Sequence, residues 1–102
     1  MALTIEQAME HGLASHREGN LQEAERLYRV ILKIQPGHPG ANHNLGLIAV
    51  SASAAEAALP LFTTALEINP QVEQFWLSYI DVLIRMGMPD SAKAVIEQIK
   101  EI

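Results

Sequence analysis

Two short stretches decide the fold, Leu32-Lys33-Ile34-Gln35-Pro36 and Leu66-Glu67-Ile68-Asn69-Pro70. In each, an apolar run of good helix formers ends on a polar amide residue and then a proline, which has no N–H with which to continue a helix. The prolines stand at 36 and 70, and the same interval carries other positions into step. Small residues recur at Ala24, Ala58 and Ala92 and at Gly12 and Gly46. Turn-forming residues recur at Gly19, Ser53 and Gly87. Large apolar residues recur at Tyr28, Phe62 and Ile96, with a further apolar column at Ile31, Ala65 and Ile99. Five columns in register mark an internal repeat.

Each repeat has the same grammar: two helix-length stretches separated by a Gly or Ser turn, with a closing proline in the first two. The spacing of apolar residues predicts helices over 4–17 and 20–34, 40–52 and 55–68, and 72–86 and 89–101. Thr4 followed by Gln7 is a capping-box start, Asn20 is placed to cap the second helix, and Pro89 suits a first helical position. Glu25 and Arg29 are spaced for an i,i+4 ion pair on the wet face. Pro60 falls beyond the first turn of its helix, so either a kink or a late start is expected there. The stretch from Ala52 to Ala58 holds no strong turn residue beside Ser51 and Ser53, which makes it the least defined boundary. No run alternates apolar with polar residues over the length of a strand.

Composition narrows what such a chain does. At 102 residues there is room for one domain, and 49% hydrophobic with 19% charged residues is a globular balance. No stretch approaches a membrane span and the first residues do not form a signal peptide, so the chain reads as cytoplasmic. Having no cysteine, it has no disulfides, thiolate metal sites or cysteine nucleophile. Its formal charge of −5 disfavours nucleic acid, whose binding usually needs a basic face.

With units starting at Ile5, Pro39 and Glu73, the columns resemble the tetratricopeptide repeat, a helix-turn-helix of about 34 residues. The landmarks are Gly12, Ala24, Tyr28 and Pro36 in unit one. In unit two they are Leu45, Gly46, Ala58, Phe62, Ala65 and Pro70, and in unit three Trp76, Tyr79, Leu83, Gly87 and Ala92. The resemblance implies an all-α, right-handed solenoid of three units (about 5–38, 39–72 and 73–102) and six helices. Three departures stand out. Ala8, His11 and Ser15 replace larger apolar residues, so the first helix is expected to pack loosely or to act as a cap. Ile80 replaces the small residue at which paired helices touch, and Pro60 interrupts the second helix of unit two.

The resemblance also implies a concave groove lined by the first helix of each unit. Its exposed positions map to Met9, Leu13 and Arg17 in unit one, with Glu6, Glu10 and His16 beside them. Unit two contributes His43, Asn44, Leu47 and Val50, with Gly40 and Ser51. Unit three contributes Leu77, Asp81, Ile84 and Arg85, with Gln74 and Ser78. Met9, Leu13, Leu47, Val50, Leu77 and Ile84 form an apolar floor, which on an open surface suggests a partner or, if these residues lie between neighbouring helices, simple packing. Asn44 resembles the asparagine with which some members hold a peptide backbone, although Glu10 and Ser78 take its place in the other units. Arg17 and Arg85 share one register position, as carboxylate receivers or as solvated rim charges. The paired lysines and asparagines of the chaperone-tail clamp are missing.

No catalytic residue, cofactor site or metal site is expected. The four histidines lack carboxylate partners at ligand spacing, and there is no glycine-rich phosphate loop. Val95, Ile96, Ile99 and Ile102 form an apolar stripe on the last helix. Either the stripe packs on its own hairpin, or the chain is an N-terminal piece of a longer protein, or another subunit covers it as a homodimer. The segment from Asn69 to Asp81 is similar to repeats that begin bacterial multidomain proteins with glycosyltransferase or sulfotransferase domains. The expectation is therefore a protein-binding adaptor rather than an enzyme, holding a peptide or helix in its groove. The alternative is the acceptor-recognition arm of a larger transferase whose catalytic domain lies downstream.

Overall fold

The computed structural model describes residues 3–100. It contains six α-helices: α1 (Ile5–Arg17), α2 (Leu21–Ile34), α3 (Pro39–Ser51), α4 (Ala55–Ile68), α5 (Glu73–Arg85) and α6 (Pro89–Lys100). The odd helices begin at 5, 39 and 73 and the even ones at 21, 55 and 89, so a single period governs both series. Each helix packs on its sequence neighbours, and beyond that α3 touches α5 across one face. The result is an elongated stack, 48 × 27 × 20 Å, of three helical hairpins. No described residue is in a strand.

The helix starts follow their local chemistry. Thr4 and Gln7 form the complete capping box, at 2.9 and 3.0 Å. Asn20 Oδ1 accepts from the Glu23 amide at 3.3 Å, and His38 Nδ1 accepts from the Ala41 amide at 3.0 Å in front of Pro39. Glu25 and Arg29 pair at 2.9 Å on the exposed face of α2.

All three intra-unit turns are the same Schellman motif. The amides of Asn20, Ala54 and Met88 bond back to the carbonyls of Ser15, Ala49 and Leu83. The residue before each sits at positive φ: Gly19 at 81°, Ser53 at 62° and Gly87 at 72°. The least defined boundary in the sequence is thus the same turn as the other two, built with a serine in the left-handed conformation.

Close approach within the first two hairpins depends on a glycine facing an aromatic ring. A Cβ at Gly12 would lie 2.7 Å from Tyr28 Cε1, and one at Gly46 would overlap Phe62 more severely. In the third hairpin Ile80 and Ile96 take the equivalent places, and α5 and α6 contact each other least among the paired helices. The first hairpin is not loose: Ala8 and Gly12 are buried, and Ala8 joins a core cluster with Ala24, Tyr28, Ile31, Ala41, Leu45 and Ile48. The small residue at position 8 makes room for that contact. Of the two outcomes foreseen at Pro60, the late start does not occur. Helix α4 begins at Ala55 and runs through the proline, whose carbonyl accepts the Thr63 and Thr64 hydroxyls at 3.0 and 2.9 Å.

Between units, a side chain six residues beyond the closing proline binds that proline's carbonyl. Asn42 Nδ2 donates to Pro36 O at 3.0 Å and to His38 O at 2.9 Å, and Trp76 Nε1 donates to Pro70 O at 2.8 Å. Asn42 and Trp76 are themselves one repeat apart. Each staples a turn to the first helix of the next unit.

Candidate functional site: the concave groove

Helices α3 and α5 lie side by side on one face because successive units stack in parallel, and an open cleft of about 510 Å³ runs between them. Leu47, Val50 and Ser51 line it from α3, and Gln74, Leu77, Ser78, Asp81 and Arg85 line it from α5. Phe62 reaches it from α4, and Ser53 closes its end. Leu47 and Val50 are half-buried against the cluster of Ala58, Phe62 and Val82. Leu77 is 50% exposed and Ile84 56%, so α5 presents bare apolar surface. Asp81 and Arg85 pair at 2.7 Å along one turn of α5, with both side chains more than half exposed. The guanidinium therefore has a carboxylate within its own helix, and a second one would have to share or displace it.

Of the residues expected on the groove, Leu47, Val50, Leu77, Asp81 and Arg85 are brought to this cleft. Ile84 is exposed beside them on α5. Met9 and Leu13 are half-buried on α1, with the Met9 side chain over Gly40, and Arg17 is exposed at the end of α1; these three do not line the cleft. Asn44 is half-buried on α3, next to His43.

His43 differs from expectation. It is 5% exposed, and its ring lies 4.8 Å from that of Phe75 and 5.5 Å from that of Phe62, centroid to centroid. Its Nε2 is 2.7 Å from Ser78 Oγ, another residue expected on the open face and found buried. The physical reason is the direct approach of α3 to α5, which turns position five of one unit and position six of the next toward each other. Gln74 Nε2 donates to Ser78 Oγ at 3.3 Å, so the hydroxyl is free to donate to a neutral His43. Burial pushes the His43 pKa below its ordinary value. The Asn44 side chain opposes that shift through a hydrogen bond, and the charge of His16 adds to it.

A second histidine–hydroxyl pair stands in unit one, where His16 Nδ1 lies 3.2 Å from the Tyr28 hydroxyl. Burial raises the Tyr28 pKa, and the charge of Arg17 works against that rise. Among the described residues no three histidines or carboxylates gather closely enough to hold a metal ion. None of the described helices is long and apolar enough to cross a membrane.

Asn42 is the residue that sequence reasoning misses. Two signals point to it: it shares its place in the repeat with Trp76, and it follows Pro36 at the same distance as Trp76 follows Pro70.

On the last helix Ile96 is exposed and Ile99 half-buried, while Ile102 lies outside the described residues. Ile99 forms, with Pro70, Gln71, Glu73, Trp76 and Leu77, a cleft of about 370 Å³ at the end of the stack.

No curated protein matches the chain in sequence. Solved structures do match in fold. One is a mutant O-GlcNAc transferase from Thermobaculum terrenum, with a TM-score of 0.86 and 22% identity over 95% of this chain and 19% of that one. Another is a mutant of MamA, with a TM-score of 0.80 and 22% identity over 93% of this chain and 55% of that one. A third is MamA AMB-1, with a TM-score of 0.81 and 17% identity over 97% of this chain and 54% of that one. The chain thus spans about a fifth to a half of the length of these proteins. The profile of the tetratricopeptide repeat matches residues 49–102, more than half of the sequence. With that match, and with three helical hairpins repeating at one fixed interval, the chain belongs to the tetratricopeptide repeat family.

Proposed function

We propose that this domain is a protein-binding module that holds a peptide or helix of a partner in the cleft between α3 and α5. The observation that carries the reading is the cleft itself: open, about 510 Å³, apolar along Leu47, Val50 and Leu77, and edged by the exposed Asp81–Arg85 pair. Exposed apolar side chains arranged around a few polar groups are what a partner segment would desolvate, the apolar ones giving affinity and the polar ones register. On this reading the domain contributes binding, and the histidine beside the cleft is a packing residue, buried and held by Ser78.

The test is quantitative cross-linking of the protein in its own cell extract, comparing the wild type with Leu47→Glu, Leu77→Glu and an exposed change on α4, Glu67→Lys. A partner cross-linked to the wild type and to Glu67→Lys, yet lost at least about tenfold in both groove variants while helicity is unchanged, supports the reading. Equal capture by all four proteins would remove the groove from consideration.

A second reading makes the domain the acceptor-recognition arm of a larger transferase. Its support is the O-GlcNAc transferase structure, in which a segment amounting to 19% of the chain superposes on 95% of this one. A reading frame that continues past residue 102 into a catalytic domain would favour it, and a stop codon there would end it.

A further inference from the structure

Two side chains that line the groove, Gln74 and Ser78, are joined to a third that does not. Gln74 Nε2, one turn earlier on α5, donates to Ser78 Oγ at 3.3 Å, and His43 Nε2 lies 2.7 Å from the same oxygen, reaching it from α3. His43 and Ser78 are buried, whereas Gln74 is exposed. The three form a chain of hydrogen bonds that runs from the joint between two units out to the cleft.

The direction of that chain depends on one hydrogen. A serine hydroxyl has a single proton to donate. Ser51, Thr63 and Thr64 give theirs to a backbone carbonyl of their own helix, and among the described residues Ser78 makes no such bond. Its hydrogen bonds run to His43 and to Gln74, so its proton lies toward one of the two. With the proton toward His43, Nε2 is bare and Gln74 turns its NH2 group inward, which leaves the amide oxygen facing the cleft. With the proton toward Gln74, Nε2 carries a hydrogen and the amide turns over, so that its NH2 group faces the cleft.

Asn44 decides between the two for the neutral ring. Burial disfavours the charged form of His43; against that, the Asn44 side chain favours it through a hydrogen bond, which an amide does only by accepting with its oxygen from a ring N–H. Since Nε2 faces Ser78, the hydrogen belongs to Nδ1 and Nε2 is the bare nitrogen. The remaining groups against the ring are uncharged, Phe62 from α4 and Phe75 and Ser78 from α5. From α1, His16 acts on it through charge and disfavours protonation, while its own Nδ1 lies 3.2 Å from the Tyr28 hydroxyl of α2.

We infer that His43 is a positioning residue for the groove. Through Ser78 the neutral ring holds the Gln74 amide with its oxygen toward the cleft, which suits a partner segment that brings an N–H donor to that point. A proton on Nε2 turns the amide over and presents a donor in its place. The recognition rests on the groove being the binding surface, but the hydrogen-bond chain exists without a partner and is tested without one.

Nuclear magnetic resonance of the isotope-labelled chain reads it directly. At about pH 7.5, couplings to the ring protons are expected to place the His43 hydrogen on Nδ1, with a nuclear Overhauser contact between the Gln74 NH2 group and the Ser78 β protons. On acidification the Gln74 side-chain amide shifts are expected to move with the same midpoint as His43, and that contact to be lost. In Ser78→Ala, with far-ultraviolet circular dichroism still helical, His43 titrates and the Gln74 shifts no longer follow it. A hydrogen on Nε2 at about pH 7.5, Gln74 shifts that stay constant while His43 titrates, or a coupling that survives in Ser78→Ala would each overturn the proposal. So would a chain that unfolds before the folded ring takes up a proton. None of these outcomes bears on capture of a partner by the groove, and a groove that captures nothing leaves these spectra unchanged.

Discussion

At position 43 a histidine serves as a core residue. It is held between two phenylalanine rings and tied by Nε2 to Ser78, and burial keeps its pKa below the ordinary 6.5. As the pH falls from about 6.5 toward the folded-state value, the unfolded chain takes up a proton that the folded chain resists. The stability contributed by the neutral ring is therefore fully present above about pH 6.5 and is lost on acidification. Urea unfolding between pH 7.5 and 5 is expected to show midpoints that fall with pH, and to fall less steeply for His43→Gln. Parallel slopes in the two proteins would mean that His43 titrates normally. Register places this residue correctly on α3 but turns it toward the wrong side. It gives the position along the helix, whereas burial depends on how near α5 comes, and that distance is a property of the stack. The exposure of Leu77 and Ile84 does follow from register alone, because no described helix crosses above them.

The turns and helix ends are largely legible in the sequence, because a capping box, an N-terminal proline and an i,i+4 pair act through neighbours in the chain. The turn at 52–54 is not, since nothing in Ala52-Ser53-Ala54 advertises a left-handed residue except its register with Gly19 and Gly87. A non-glycine residue in that conformation costs about 1–2 kcal/mol, while glycine gives back roughly 0.5–1 kcal/mol through the greater freedom of the unfolded chain. Ser53→Gly is thus expected to stabilise the domain by roughly 0.5–1 kcal/mol, seen as a higher urea midpoint with an unchanged slope, and Gly19→Ser to lower it. A neutral or negative effect of Ser53→Gly would show that the serine side chain contributes something the turn geometry does not account for. Asn42 goes unread at this scale for the opposite reason: its contact is with a turn outside its own helix.

For the whole molecule, the repeat period determines the number of hairpins and the order of the stack, which makes stability a sum over units and joints. The sum is uneven. Gly12 with Tyr28 and Gly46 with Phe62 close the first two hairpins, whereas the third has Ile80 and Ile96 in those places, with Ile96 exposed among the described residues. Hydrogen exchange at low protein concentration is expected to be fastest in α6 and slowest in α3 and α4, by roughly tenfold or more at the amides of helix interiors. Uniform protection across the six helices would mean that the three units open as one. The groove belongs to this scale too: its residue types are readable from register, but the cleft exists only where α3 and α5 lie together, which is why Met9, Leu13 and Arg17 are left outside it.

Trp76, which fastens the Pro70 turn through its indole N–H, is the only tryptophan in the chain. Its ring borders the end cleft with Ile99 and is absent from the lining of the cleft between α3 and α5. The molecule thus carries a built-in fluorophore at the joint between its second and third hairpins, and a change in that emission reports on the Pro70 turn and the cleft beside Ile99.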